Sequence, residues 1–130
     1  MKGELIKEIN DWLKKADDDL LAANQLNSQQ LILTSIICFH CQQAIEKYLK
    51  AYLLSHNFDV SKTHNIELLS KKASDFNNEF NKFDFGNLTD FAVQFRYPGE
   101  DILPDKEEIK YYIDLCENLQ KFDLTLLLNN

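Results

Sequence analysis

Three glycines and two prolines are all that punctuate this chain of 130 residues. Between them, apolar residues recur at three- and four-residue spacing, and no alternation of period two appears. The chain therefore reads as helices joined by short connections. From Leu5 to about Leu26, Leu5, Ile9, Trp12, Leu13, Ala16, Leu20 and Ala23 form one face. Asp17, Asp18 and Asp19 fall on other faces and are expected in solvent. Asn27-Ser28-Gln29-Gln30 turns the chain. A second helix is expected from about Leu31 to Ser55, with Leu33, Ile37, Cys41, Ala44, Ile45, Tyr48, Ala51 and Tyr52 on its apolar face.

A loop through Asn57, Asp59 and Ser61 follows, and Thr63 or a neighbour caps a third helix carrying Ile66, Leu68, Leu69 and Ala73. The stretch from Phe76 to Phe95 is crowded with aromatics and interrupted by Gly86. It predicts a loop and then a short helix from about Asn87 to Gln94, with the phenylalanines packed inward. The last helix starts at Pro104-Asp105, where Glu108 completes a capping box, and its stripe is Ile109, Tyr112, Ile113, Cys116 and Leu119. The expected fold is all-α, an up-and-down bundle of about five helices in a single domain over 1–130.

Composition narrows the function classes. Hydrophobic residues at 45% and charged residues at 27% describe a globular domain. A formal net charge of -7 argues against a broad nucleic-acid coat, which needs an extended basic field. It leaves room for a local basic pocket. The start Met1-Lys2-Gly3-Glu4 has no apolar signal core, and no long uncharged run could span a membrane. Cys38, Cys41 and Cys116 are odd in number and sit in apolar helical patterns, which points to reduced thiols in a cytoplasm. Cys38 and Cys41 flank His40, but on a helix they occupy neighbouring turns and no second pair follows. A structural zinc site needs four ligands, so the cysteines read as core and no metal is expected. No glycine loop for phosphate and no nucleophile elbow occurs, and no cofactor is expected.

The only arginine is Arg96, in Phe95-Arg96-Tyr97-Pro98-Gly99. Its planar fork can grip phosphate or carboxylate in two places, and the nearby proline favours a non-helical loop. On the second helix, His40, Gln43 and Lys47 share one edge of the apolar face and need polar partners. His40 reads as a satisfied histidine at a helix interface. Glu46 and Lys50 lie further out and are expected to form an exposed pair.

Four strings carry a resemblance across nearly the whole chain. They are Trp12 with Ala16-Asp17-x-Asp19-Leu20, Phe39-His40-x-Gln42-Gln43-Ala44-x-Glu46-Lys47-x-Leu49-Lys50-Ala51, Thr63-His64-x-Ile66-x-Leu68-Leu69, and Arg96-Tyr97-Pro98. In order and spacing they resemble the HEPN domain, the higher eukaryote and prokaryote nucleotide-binding domain. The resemblance implies a helical bundle that forms a homodimer. It also implies pairing with a separate minimal nucleotidyltransferase, often as a toxin–antitoxin-like pair. Several members are metal-independent ribonucleases whose arginine is followed, after a short polar spacer, by a histidine. Here no histidine follows His64, so the proton-transfer partner of Arg96 is missing.

The expected function is a non-catalytic module that binds a nucleotide or RNA phosphate, a nucleotidyltransferase partner, or both. The alternatives are a ribonuclease with a displaced acid–base residue and a purely structural dimeric scaffold. The candidate ligand-binding residues are Arg96 and Tyr97, with Lys47, His64 and His40 as secondary members. Tyr97 would stack on a base or donate its hydroxyl, and Pro98 and Gly99 would fix the loop. The resemblance places the Arg96 loop near a dimer cleft.

Overall fold

A helix that touches every other helix cannot keep a wet side, and here that helix is the second. The computed structural model describes residues 2–28, 33–93 and 103–128. Its elements are α1 (Gly3–Ser28), α2 (Thr34–Ser55), α3 (Ile66–Phe76), a 3-10 turn (Asn78–Lys82), α4 (Leu88–Val93) and α5 (Lys106–Leu128). No strand occurs among the described residues, so the all-α expectation holds. The α2 helix packs against α1, α3, α4 and α5, and α1 also meets α5. Its buried residues therefore run almost all the way round, from Ile37 and Cys41 through Ala44, Ile45 and Tyr48 to Leu53.

Cross-helix bonds give the directions. Asp19 of α1 meets Lys47 of α2, while Asp17 meets Tyr48 and Trp12 meets Lys50. Numbers rise on one helix as they fall on the other, so α1 and α2 are antiparallel. The Cys116 thiol of α5 donates to the Cys41 carbonyl, and Asp123, further along α5, acts on Tyr48 and Tyr52. Hence α5 runs the same way as α2 and opposite to α1. The α3–α4 segment returns the chain to make this possible.

Local chemistry sets the ends. At α5, Asp105 N–H donates to Glu108 Oε1 (3.1 Å) and Glu108 N–H donates to Asp105 Oδ1 (2.8 Å), which is the expected capping box. At α3 the cap is Asn65, whose Oδ1 accepts from Leu68 N–H at 3.0 Å. Thr63 instead accepts from Asn65 N–H. Two boundaries differ from expectation. Helix α1 continues through Asn27 and Ser28, and α2 starts at Thr34, while the expected start at Leu31 lies outside the described residues. Leu68, expected on the apolar face, is 58% exposed, because Ile66, Leu69 and Ala73 already fill the side turned inward.

Phe80, Phe83, Phe85 and Phe91 pack inward as expected, whereas Phe76 is 42% exposed and Phe95 lies outside the described residues. Phe80 sits 4.6 Å from Tyr52 and 4.9 Å from Phe122 between ring centroids. The stretch expected to be a loop before Gly86 contains the 3-10 turn that carries this ring. Gly86 has φ +51, and a Cβ there would meet the Tyr112 hydroxyl at 3.2 Å. That hydroxyl accepts from Asn87 N–H, so the turn into α4 is tied directly to α5.

One buried acid lacks a partner. Asp123 is fully buried in α5, and neither carboxylate oxygen has a hydrogen-bond partner among the described residues. Burial pushes its carboxyl well above the ordinary 3.8, so the fold favours its neutral form. The folded state then binds this proton more tightly than the unfolded chain does. Its stabilising effect is complete below about pH 4 and is lost as pH rises, by at most about 1.4 kcal/mol per pH unit. Replacing Asp123 with Asn should leave the variant more stable than the parent at about pH 8, with the gain shrinking toward about pH 4. Urea unfolding across that range measures it.

Candidate functional site

The polar edge of α2 finds its partners on α1. Asp19 lies with 13% of its side chain exposed and accepts on both oxygens. His40 Nδ1 is 2.9 Å from Oδ1, and the Lys47 ammonium donates to Oδ2. Next to it, Asp17 accepts from the Tyr48 hydroxyl and from Gln120 Nε2. Burial, and then the Asp17 bond, push the Tyr48 hydroxyl well above its ordinary range. This corrects the reading of Asp19 as solvated, whereas Asp17 and Asp18 are exposed as expected. Asp19 falls beside the α1 face that meets α2, where the need of His40 and Lys47 for a partner draws it in.

A second correction concerns Glu46 and Lys50. The pair forms as its i,i+4 spacing predicts, at 3.0 Å, but it is buried, with 7% and 2% of the side chains exposed. A wheel drawn for α2 alone assumes an outer face in water, and α2 has none. Glu46 Oε2 also lies 2.9 Å from Nδ1 of His64, and that same Nδ1 lies 3.1 Å from Lys50 Nζ. The Lys50 ammonium sits 5.2 Å from the centroid of the Trp12 ring, a cation–π contact that adds to its solvation.

These groups line a half-open cleft of about 570 Å³. Trp12 and Lys15 come from α1, Phe39, Glu46, Lys47 and Lys50 from α2, and Val93 from the end of α4. His64 closes one side with its side chain 76% exposed. The volume suits a ligand of nucleotide size, and the lining combines aromatic faces with cations. Lys47 and Lys50 are each matched by an acid, Asp19 and Glu46. Lys15 has no acidic partner among the described residues. A wider depression beside His56 is lined by Glu4 and Glu8 as well as Lys2, and offers no aromatic surface besides that histidine.

The structure thus brings together Lys47 and His64 of the expected ligand-binding residues. His40 is engaged by Asp19 and does not line the cleft. Arg96, Tyr97, Pro98 and Gly99 lie outside the described residues. Sequence reasoning missed Trp12, Lys15 and Lys50 as cleft members. The available signal was the Trp12 position together with the Glu46–Lys50 spacing, but only the packing of α1 on α2 joins them.

The cysteines are core, as expected. Cys38, Cys41 and Cys116 are all fully buried and free. Burial, with Cys41 adding to it, pushes the Cys38 thiol up to about 12, and burial raises Cys116 as well. Such thiols stay protonated, which removes their nucleophilic and metal-binding form. Among the described residues no group of three or more His, Cys, Asp or Glu could hold a metal ion. Nor is any described helix long and apolar enough to cross a membrane.

Breaking the buried pair from one side should be costly. Lys50→Met leaves the Glu46 carboxylate in a dry site without its ammonium, and is expected to destabilise by about 3 kcal/mol. The double change Glu46→Gln with Lys50→Met should cost clearly less than the sum of the single changes. Urea unfolding of the three variants gives the coupling.

Comparison with known proteins adds one finding. The family model described as HEPN domain matches residues 9–125, nearly the whole chain. No curated protein and no solved structure gives a significant match.

Proposed function

The chain belongs to the HEPN domain family, and on that premise we propose that it is a non-catalytic module whose cleft holds a nucleotide or RNA phosphate. The observation that carries this reading is the cleft itself. In a chain of net charge -7 it gathers Lys15, Lys47, Lys50 and His64 beside Trp12 and Phe39. Cations recognise phosphate and aromatic faces accept a base. Val93 lines the cleft and Arg96 follows three residues later, within about 11 Å of chain at full extension. Arg96 is therefore assigned the bidentate grip, Tyr97 the base contact, and Pro98 and Gly99 the shape of that loop. The module works as a homodimer in the cytoplasm beside a minimal nucleotidyltransferase, in a toxin–antitoxin-like pair. Family membership supports the dimer and the partner, and the free, buried thiols support the compartment.

Arg96→Ala is expected to weaken nucleotide binding by about tenfold or more, since a charged hydrogen-bond pair contributes about 1.5–3 kcal/mol. Arg96→Lys keeps the charge, loses the fork and should fall between the two. Titration calorimetry with nucleotides and short RNAs reads this, and equal affinity in all three proteins would remove Arg96 from the site.

A second reading, a metal-independent ribonuclease, draws on one observation. His64 is exposed and its Nδ1 meets the buried Glu46 carboxylate, an arrangement that orients an imidazole for proton transfer. Against it stands the missing histidine after Arg96. The expected outcome is no appreciable cleavage of single-stranded RNA by pure protein with a chelator present. Robust cleavage abolished in both Arg96→Ala and His64→Gln would establish the ribonuclease instead.

A further inference from the structure

We propose that proton binding at His64 controls the cleft's hold on anions, by switching Nδ1 from Lys50 to Glu46. The inference rests on the cleft being the phosphate site. Three groups meet around one nitrogen. Nδ1 lies 3.1 Å from Lys50 Nζ and 2.9 Å from Glu46 Oε2, and those two atoms are themselves 3.0 Å apart. A ring nitrogen carries either a lone pair or a proton. With the lone pair it accepts from the Lys50 ammonium and opposes the carboxylate oxygen. With the proton it donates to Glu46 and turns an N–H toward the ammonium. Each state satisfies one neighbour at the expense of the other.

Charge follows the switch. With the ring neutral, Glu46 and Lys50 cancel, and Nδ1 serves as an extra acceptor for a lysine that is almost fully buried. With the ring protonated, Nδ1–H binds Glu46 and the trio carries one positive charge. The ring is 76% exposed, so Nε2–H is open to a ligand. The charged neighbours do not offset this gain. From α1 come Lys15 and, through Lys47, Asp19; from α2 come Glu46, Lys47 and Lys50. The α4 residues of the cleft, Ala92 and Val93, are uncharged, and Glu67 at the start of α3 accepts from Thr89. Protonation therefore leaves Glu46 shared by two cations, and the trio adds one net positive charge to that of Lys15.

Two measurements on the full chain test this across the interval where histidine titrates. The first is the 15N shift of each His64 ring nitrogen in the free protein. Nδ1 should be unprotonated at about pH 8 and protonated at about pH 5.5. Protonation of Nδ1 at both values would overturn the switch. The second is sulfate binding, because sulfate keeps its charge over this interval. Sulfate should bind about fivefold tighter or better at the lower pH, and His64→Gln should lose that ratio while keeping its helical circular dichroism. Binding with the same affinity at both pH values, or a ratio that survives His64→Gln, would overturn the proposal and leave the phosphate site standing. No sulfate binding at either pH would overturn both.

Discussion

Glu46 and Lys50 lie one turn apart on a helix covered on every side, and the rest of the site follows from satisfying them. Taking two charges out of water costs several kcal/mol each, and their attraction offsets that only when further partners complete the geometry. The partners come from different parts of the chain: His64 from the connection between α2 and α3, and Trp12 from α1. Meeting the needs of one pair therefore fixes where that connection runs and how α1 lies against α2. Apolar packing decides how deep a helix sits. Directional bonds such as Asp19 to Lys47 and Asp17 to Tyr48 decide its register along the neighbour.

The two acids buried among the described residues show opposite solutions to one problem. Glu46 is paired with an ammonium. Asp123 has no hydrogen-bond partner among the described residues, and burial favours its neutral form. The first costs desolvation and gains position. The second costs stability as pH rises and gains nothing visible in the packing. Between them they separate the working edge of α2 from the α5 side, where the core is otherwise aromatic and aliphatic.

What could be read ahead of the structure was local. The capping box at Asp105 and Glu108 depends on residues three apart, and the α5 stripe from Ile109 to Leu119 on a single helix facing one core. Both are written in short windows of sequence. Glu46 and Lys50 were misplaced because a helical wheel tells which residues share a face, not whether another element covers it. In the run Asp17-Asp18-Asp19 only Asp19 was misplaced, for the same reason: it is covered where it bonds across to α2, while Asp17 and Asp18 are exposed. Lys47 and His64 were legible only through the family pattern, and their meeting in one cleft depends on contacts far apart in the chain. Arg96, the feature that first suggested a phosphate site, lies outside the described residues.

The electrostatics of the cleft work at short range. Charge beyond about 8 Å is largely screened at physiological salt, so the overall -7 slows the approach of a polyanion more than it opposes one phosphate already seated. Inside the cleft, Lys47 and Lys50 are preorganised but matched, and a ligand phosphate competes there with Asp19 and Glu46. Matched cations contribute placement more than net attraction. On the proposed reading, discrimination falls to the net positive charge of the cleft: Lys15 permanently, and the one added to the Glu46–Lys50 pair when His64 carries a proton. A pocket built this way suits one short anionic group held beside an aromatic face. It does not suit a long nucleic-acid strand, which would need unmatched cations repeated along a track.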